Sequence, residues 1–392
     1  MISSVTRPAS LPRAALVVGN WPTTSQTFVM RHASKLFDGR TCVVANTTRA
    51  PVPSAPPVFD RSAYRRGPFE AVACMAPMAR NRLIVGTGHI PTGSERRAIA
   101  DFLRDQGVTV ILSEFGTKAI ILADIAAEMG LPCYTYFRGS DASKELALPR
   151  RRRSYAYVIP KLTGVIAVSR FLLDNLAARG ISHPNAHVIP SGVDVRRFEP
   201  GAKRPGSFLA VGRMVEKKAP DLTLRAFAKA TRDRPEAHLR MIGDGPLLAR
   251  TRDLASELGI AGKVVFEGAQ AHDTVREALA TTEVFLQHSI TAGDGNAEGL
   301  PTAIQEALAA GCVVISTRHA GIPEAVDPGV TGWLSAERDL AGFTDLIREA
   351  RHADLATMSQ AARNVALERF DNTMLLHRLE TVLTQDGSGA PR

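Results

Sequence analysis

The stretch GDGNAEGLPTAIQEALAAG, Gly293 to Gly311, sets two carboxylates, Glu298 and Glu306, eight residues apart with Gly299-Leu300-Pro301-Thr302 between them. Pro301 suits the first position of a helix, because its fixed φ is already helical and its missing N–H would be an orphan there. Gly311 suits the position just past the helix end. At 100° per residue Ile304, Ala307 and Leu308 share one apolar face, with Thr302 and Glu306 on the opposite side. Glu298 then lies in the loop entering the helix, beside unpaired N–H groups and the positive end of the dipole, which together favour an anion. A sugar nucleotide fits that pattern, with hydroxyls on the carboxylates and phosphate on the N–H groups. A surface helix with an acidic first turn fits it as well.

Working outward, 392 residues at 45% hydrophobic are expected to fold as two soluble domains, since single cores stop growing near ~250–300 residues. No run of eighteen apolar residues is present to span a membrane, and the apolar run near the N-terminus is too short for a secretory signal. The cysteines Cys42, Cys74, Cys133 and Cys312 are scattered without a C-x-x-C pair, as in a reduced, cytosolic protein without structural zinc. The net charge of +9 is uneven: residues 1–190 hold 24 basic against 12 acidic side chains, and the remainder 24 against 27. A basic first half suits nucleic acid, anionic lipid or an acidic acceptor. Nucleic acid is disfavoured because no zinc finger, RNA-recognition motif or aromatic–basic interleaving accompanies the charge.

Strands and helices alternate along the chain. Ala14 to Val18 reads as a buried strand whose exit loop precedes a helix capped by Thr24 or Ser25. Residues 49–80, rich in Pro and Arg and including Arg61, Arg65 and Arg66, read as a solvated loop or as a mobile, acceptor-facing segment, and Arg82 to Val85 as a strand. Helix 94–106, strand 108–113, helix 117–129 and strand 132–136 follow, a rhythm that predicts a parallel, doubly wound sheet. Arg150-Arg151-Arg152-Arg153 reads either as a solvated charge run or as a contact for an anionic membrane, at roughly 1 kcal/mol per basic residue. Strands at 165–169 and 187–189 precede Phe198-Glu199-Pro200-Gly201 to Gly206, the strongest linker signal. In the second half Arg213 and Lys218 follow the strand 208–211, at the edge where such sheets bind ligands. Arg supplies a planar fork for phosphate and Lys a mobile point charge. Strand 239–242 ends in Gly243-Asp244-Gly245-Pro246, a weak dinucleotide fingerprint because its third glycine is missing. Helices at 338–350, 352–368 and 371–384 close the chain, and the tail from Asp386 is expected to be disordered.

The E-x7-E pair, Glu298 and Glu306, resembles the signature of retaining glycosyltransferases of family 4, which have the GT-B fold. Further segments carry the likeness: Trp21-Pro22 to Phe28, Phe137-Arg138-Gly139-Ser140-Asp141, Pro190-Ser191-Gly192-Val193-Asp194, Gly212-Arg213 to Lys218, Ile242-Gly243-Asp244-Gly245-Pro246, and Gly321 to Leu334. The resemblance covers about 14–384, and its polysaccharide-assembling members are the nearest in pattern. It implies an α/β chain of two Rossmann-like, doubly wound parallel-sheet domains facing across a cleft. Residues 1–195 would take the acceptor, 196–370 the donor, and the last helix, within 371–392, would cross back to the first domain.

The implied activity is retaining transfer of a sugar from a nucleotide-diphosphate sugar to a glycan or lipid-linked acceptor. Glu298, Arg213 and Lys218 would be catalytic. Glu306 and the segment Gly299, Leu300, Pro301 and Thr302, with Gly243, Gly268 and Gln270, would bind the donor. Ser25, Thr27, Arg138 and Asp141 would line the acceptor side, although Arg138 stands where the family often has His, and Asp141 also reads as a helix cap. No D-x-D motif accompanies these groups, so neither metal nor cofactor is expected. The expected location is the cytoplasm, with peripheral contact at the inner membrane face through Arg150 to Arg153. The alternative is a non-catalytic sugar-nucleotide-binding or polysaccharide-assembly partner with the same fold.

Overall fold

The computed structural model describes residues 11–22, 26–49 and 56–385. Short apolar runs rich in β-branched residues become strands buried on both faces, the state that helical crossovers impose on parallel sheets. The first sheet holds β1 (Ala14–Trp21), β2 (Thr41–Thr48), β3 (Val58–Asp60), β4 (Val110–Glu114), β5 (Cys133–Phe137), β6 (Gly164–Ala167) and β7 (Ala186–Val188). Its order is β3-β2-β1-β4-β5-β6-β7, parallel throughout. Its helices are α1 (Thr27–Lys35), α2 (Pro68–Ile84), α3 (Gly93–Asp105), α4 (Gly116–Met129), α5 (Pro149–Val158) and α6 (Arg170–Ala177).

The second sheet holds β8 (Arg204–Val211), β9 (His238–Ile242), β10 (Val264–Gly268), β11 (Thr282–Gln287), β12 (Val313–Thr317) and β13 (Gly332–Ser335). It is also parallel, in the order β10-β9-β8-β11-β12-β13. Helices α7 (Pro220–Ala230), α8 (Leu248–Glu257), α9 (His272–Thr281), α10 (Thr302–Ala309), α11 (Leu340–Glu349) and α12 (Leu355–Arg369) pack around it. In both sheets the strand order reverses beside the strand that opens the lobe, and ligands bind at that switch point beyond the carboxyl ends. The last helix, α13 (Asn372–Thr384), returns to the first lobe: Asp371 bridges Val193, and the Glu380 carboxylate accepts the Phe37 N–H at 2.6 Å.

Three local expectations are corrected. Residues 56–85 are not a loop followed by a strand: they form β3 and the 17-residue α2, and Arg82 to Ile84 are its last turn. Arg61 and Arg66 are not solvated either, because both pair with Glu95 at the start of α3. Pro301 caps α10 from outside, with φ −60° and ψ 126°, instead of occupying its first turn. Gly311, at φ +70°, does take the left-handed position past the end, where a side chain would be strained. The caps proposed at Thr24 and Ser25 and the tail beyond 385 lie outside the described residues.

The lobes meet through backbone that only glycine permits. A Cβ on Gly139 would lie 2.8 Å from the Ala297 carbonyl, and one on Gly299 would lie 2.6 Å from the Val168 side chain. Polar contacts reinforce the junction. The Glu324 carboxylate of the second lobe accepts the Arg170 and Phe171 N–H groups at 2.8 and 3.0 Å, capping α6 of the first. The Gln305 side chain accepts the Gly192 N–H at 2.9 Å.

Candidate active site

Above that junction lies a cleft of about 500 Å³. The first lobe contributes Thr27, Phe28, Arg138, Gly139 and Ser191 to its walls; the second contributes Arg213, Lys217, Lys218, His272, Glu298 to Thr302, and Glu306. The two carboxylates of the opening stretch therefore share one crevice with Arg213 and Lys218.

Each side chain is placed by the element beneath it. Helix α10 buries Ile304, Ala307 and Leu308 completely, which turns Thr302 and Glu306 toward the cleft. No side chain caps α10, so its first-turn N–H groups have no partner within their own helix. Glu306 Oε1 meets His272 Nε2 at 3.0 Å, and this hydrogen bond raises the His272 pKa above its ordinary value. Arg213 follows β8, exposed at the mouth, and makes no ion pair among the described residues.

Glu298 is 8% exposed and stands between two ammonium groups, 3.4 Å from Lys217 Nζ and 3.2 Å from Lys218 Nζ. Burial pushes its carboxyl up, but Lys218 and Lys217 together outweigh burial and hold it at about 2. Lys218 is pulled below its ordinary value by burial, against the attraction of Glu298, and also donates to Gln287 Oε1 at 3.1 Å. The Glu298 backbone N–H donates to His319 Nε2 at 3.1 Å, while His319 Nδ1 faces Glu337 Oε1 at 2.6 Å. That pairing assigns the ring proton to Nδ1. Glu337 also accepts the Thr291 N–H at 2.7 Å, so one carboxylate anchors Thr291 directly and Glu298 through His319.

On the facing wall Arg138 is buried between the rings of Phe28 and Tyr136, its guanidinium carbon 3.6 and 4.1 Å from their centroids. It donates to Ser191 Oγ at 2.7 Å and to Glu114 Oε2 at 3.1 Å. Glu114, fully buried, also contacts His32. Burial raises the Glu114 carboxyl, but His32 and Arg138 overcome it and hold the group at about 2. Arg138 thus occupies a stacked, paired position unsuited to taking a proton.

Other expected members lie elsewhere. Asp141 is turned under the cleft, where it accepts the N–H groups of Gly116 and Arg138 at 2.7 and 2.8 Å, and burial pushes it up to about 6. Its role is to tie the loop after β5 to the start of α4, not to face an acceptor. Gly243, Gly268 and Gln270 do not line this cleft. Gly243 packs on Gly212, its N–H donates to the Gly268 carbonyl at 2.8 Å, and the Gln270 amide turns back to the Glu267 carbonyl. Ser25 is outside the described residues. Sequence reasoning missed Lys217, Ser191, His272, His319 and Glu114. Lys217 is adjacent to Lys218 and Glu114 ends a strand at the ligand edge, but the partners of both are distant in the chain.

Two family descriptions divide this architecture between them: glycosyl transferases group 1 matches residues 194–365, and glycosyltransferase family 4 matches residues 58–197. The second lobe carries a group 1 glycosyltransferase domain and the first a family 4 glycosyltransferase domain. Among its relatives is WcaL of Salmonella typhimurium, named for colanic acid biosynthesis, 28% identical over 284 residues and 70% of each chain. The amylovoran biosynthesis glycosyltransferase AmsK of Erwinia amylovora is 26% identical over 255 residues, 64% of this chain and 63% of its own. A GDP-mannose-dependent mannosyltransferase of Corynebacterium glutamicum is 24% identical, covering 76% of this chain and 82% of its own. In fold, a glycosyltransferase from Rickettsia africae superposes with a TM-score of 0.72 at 15% identity, over 96% of this chain and 100% of its own. Anabaena HepE, solved with UDP, gives 0.73 at 15% identity, over 95% and 99%. This glycosyltransferase therefore has the GT-B architecture.

Proposed function

We propose that this glycosyltransferase moves a sugar, with retention of configuration, from a nucleoside-diphosphate sugar to a glycan or lipid-linked acceptor in polysaccharide assembly. The observation that carries the reading is the Glu298–Lys217–Lys218 cluster beside Arg213 and the uncapped start of α10. In this reading Glu306 accepts the ribose hydroxyls. The diphosphate lies against the α10 N–H groups, Arg213 and the two lysines. Because those lysines already hold Glu298, the diphosphate must draw them away, which frees the carboxylate oxygens for hydroxyls of the donor sugar. The cations then offset the charge that grows on the departing diphosphate, a preorganised electrostatic contribution.

Glu298 is held by Lys217 and Lys218 and Glu306 by His272, so neither is taken as a nucleophile, and Arg138 is no base. The bond from the sugar's anomeric carbon to the diphosphate breaks as the bond to the acceptor oxygen forms on the same face. The acceptor's proton passes to the diphosphate oxygen. Thr27 and Arg138 face the acceptor. Transfer proceeds without a divalent cation or cofactor, since fixed cations and a helix N-terminus stand where the charge develops. Relatives named for colanic acid, amylovoran and phosphatidylinositol mannoside synthesis support an extracellular-polysaccharide or lipid-linked acceptor. No helix among the described residues is long and apolar enough to cross a membrane. We place the enzyme at the cytoplasmic membrane face, with Arg150 to Arg153 against anionic lipid.

The test is a screen of UDP-, GDP- and ADP-sugars by thermal shift, followed by donor hydrolysis and transfer with EDTA present. One nucleotide class should stabilise the wild type by mass action, and Lys218→Ala should cut turnover by about 10²–10³-fold. Wild-type turnover in Lys218→Ala would refute the assignment.

A further inference from the structure

Helix α2 is built unlike any other surface helix of the described residues. Its sequence, PFEAVACMAPMARNRLI, is apolar along most of its length, yet only Cys74 is buried. Phe69 is 91% exposed, and Val72, Met75, Leu83 and Ile84 are each more than half exposed. Five of the ten exposed large apolar side chains of the described chain therefore sit on this one helix, where a soluble surface normally scatters them singly.

The helix is pinned, so this exposure is not fraying. The Glu70 carboxylate accepts from the Ser94 backbone and hydroxyl at its start. At its end Arg153 Nη1 donates to the Leu83 carbonyl at 3.0 Å, and Ser154 Oγ to the Val85 carbonyl at 2.8 Å. Those last two bonds place the apolar helix directly beside the arginine run of α5. Arg80 and Arg82 on α2 and Arg150, Arg152 and Arg153 on α5 are all exposed. Among the described residues Arg151 alone of the α5 run makes an ion pair, with Glu145 at 2.8 Å. The one acid on α2, Glu70, is already engaged with Ser94.

We infer that α2 is an interfacial helix that inserts its apolar side chains into the headgroup region of an anionic bilayer, with the arginines of α2 and α5 on the lipid phosphates. Apolar residues flanked by unpaired guanidinium groups are the composition of a surface-lying helix. A second copy is the wrong occupant, because a symmetric contact would bring together two sets of five arginines that have no ion pair among the described residues. The inference deepens the surface reading of the arginines given above: it makes the apolar helix, not charge alone, the source of affinity, and it would bring the cleft to a lipid-linked acceptor.

The experiment is co-sedimentation of the full chain with vesicles of phosphatidylglycerol and phosphatidylcholine, and of phosphatidylcholine alone, at low salt and at high salt. The wild type should bind the anionic vesicles, and high salt should weaken that binding without abolishing it. Phe69→Ser with Met75→Ser should lower the partition coefficient by at least about tenfold, the value of transferring one large side chain. Arg150→Gln, Arg152→Gln and Arg153→Gln together should remove the salt-sensitive part. Donor hydrolysis in solution should be unchanged in both variants, because none of these residues lines the cleft. Loss of hydrolysis in the wild type would strike at the site and leave the vesicle result standing. Wild-type vesicle binding by the Phe69/Met75 variant overturns the inference. So does equal binding to uncharged vesicles, or a dimer that the same variant dissociates.

Discussion

Replacing Glu298 by Gln should make the empty enzyme less stable and, at the same time, a tighter binder of the bare nucleoside diphosphate. The carboxylate stands 3.4 and 3.2 Å from two lysines whose side chains are 13% and 16% exposed. Its removal leaves two neighbouring ammonium groups with no counter-charge, and breaking a buried pair from one side costs about 3 kcal/mol at the low end of such measurements. The carboxyl itself gives a similar figure. It is held at about 2 against an ordinary 4.5, and 1.36 kcal/mol per tenfold step in acidity yields roughly 3 kcal/mol. For a lobe of this size that is a fall in Tm of roughly 6–12 °C. A nucleoside diphosphate lacking the sugar removes the complication of a lost sugar contact. In the wild type it must compete with Glu298 for the lysines, and in Glu298→Gln it need not. Differential scanning fluorimetry across a diphosphate titration should show a lower starting Tm and a larger ligand-induced rise in the variant. A variant as stable as the wild type, or one protected less by diphosphate, would show that these lysines do not serve the phosphates.

Glu306→Ala should weaken nucleoside diphosphate binding by about tenfold, the value of one hydrogen bond to a charged acceptor, and should abolish discrimination against the 2′-deoxy nucleotide in calorimetric titration. Gly299→Ala should destabilise by about 1–3 kcal/mol, because its methyl would lie 2.6 Å from Val168 at the junction of the lobes; chemical denaturation reads the loss. Acid should unfold the protein early. Glu114 and Glu298 are both held at about 2, so their stabilisation is complete above the ordinary carboxylate value and is lost as pH falls from roughly 4.5 to 2. His32, kept below its ordinary value by burial, adds loss in the same direction from about pH 6.5 downward. Urea titrations at pH 7, 5 and 3.5 should give a falling midpoint, and Glu114→Gln should flatten that slope.

The parts of the fold that could be read from sequence were those whose residues serve a core. Val17, Ile111, Val314 and their neighbours are buried on both faces, so they read as short continuous apolar runs. The face of α10 that buries Ile304, Ala307 and Leu308 imposed its period on the sequence. Helix α2 was missed for the converse reason: with only Cys74 buried, no core face writes a 3.6-residue period into it, and Pro77 stands inside it. Its Leu83 and Ile84 then looked like a strand.

Spacing and residue type pointed to Glu298, Glu306, Arg213 and Lys218, which the structure brings to one cleft, because a helix start and a post-strand cation are local features. The grip of Lys217 on Glu298, the His319–Glu337 support beneath it, and the Arg138–Glu114 pair join residues 18 to 81 positions apart, and no local pattern encodes them. Asp141 was ambiguous between cap and ligand; its two backbone hydrogen bonds decide for the structural role.

The most direct test of the account is calorimetry with the nucleoside diphosphate of the preferred donor and with the matching nucleoside, on the wild type and on Arg213→Ala/Lys218→Ala. The wild type should bind the diphosphate far more tightly than the nucleoside, and the double variant should lose most of that difference, about 100-fold or more in Kd for two charge-assisted contacts, while binding the nucleoside as before. A double variant that keeps the wild-type preference for the diphosphate would contradict the placement of the phosphates between those cations and the start of α10.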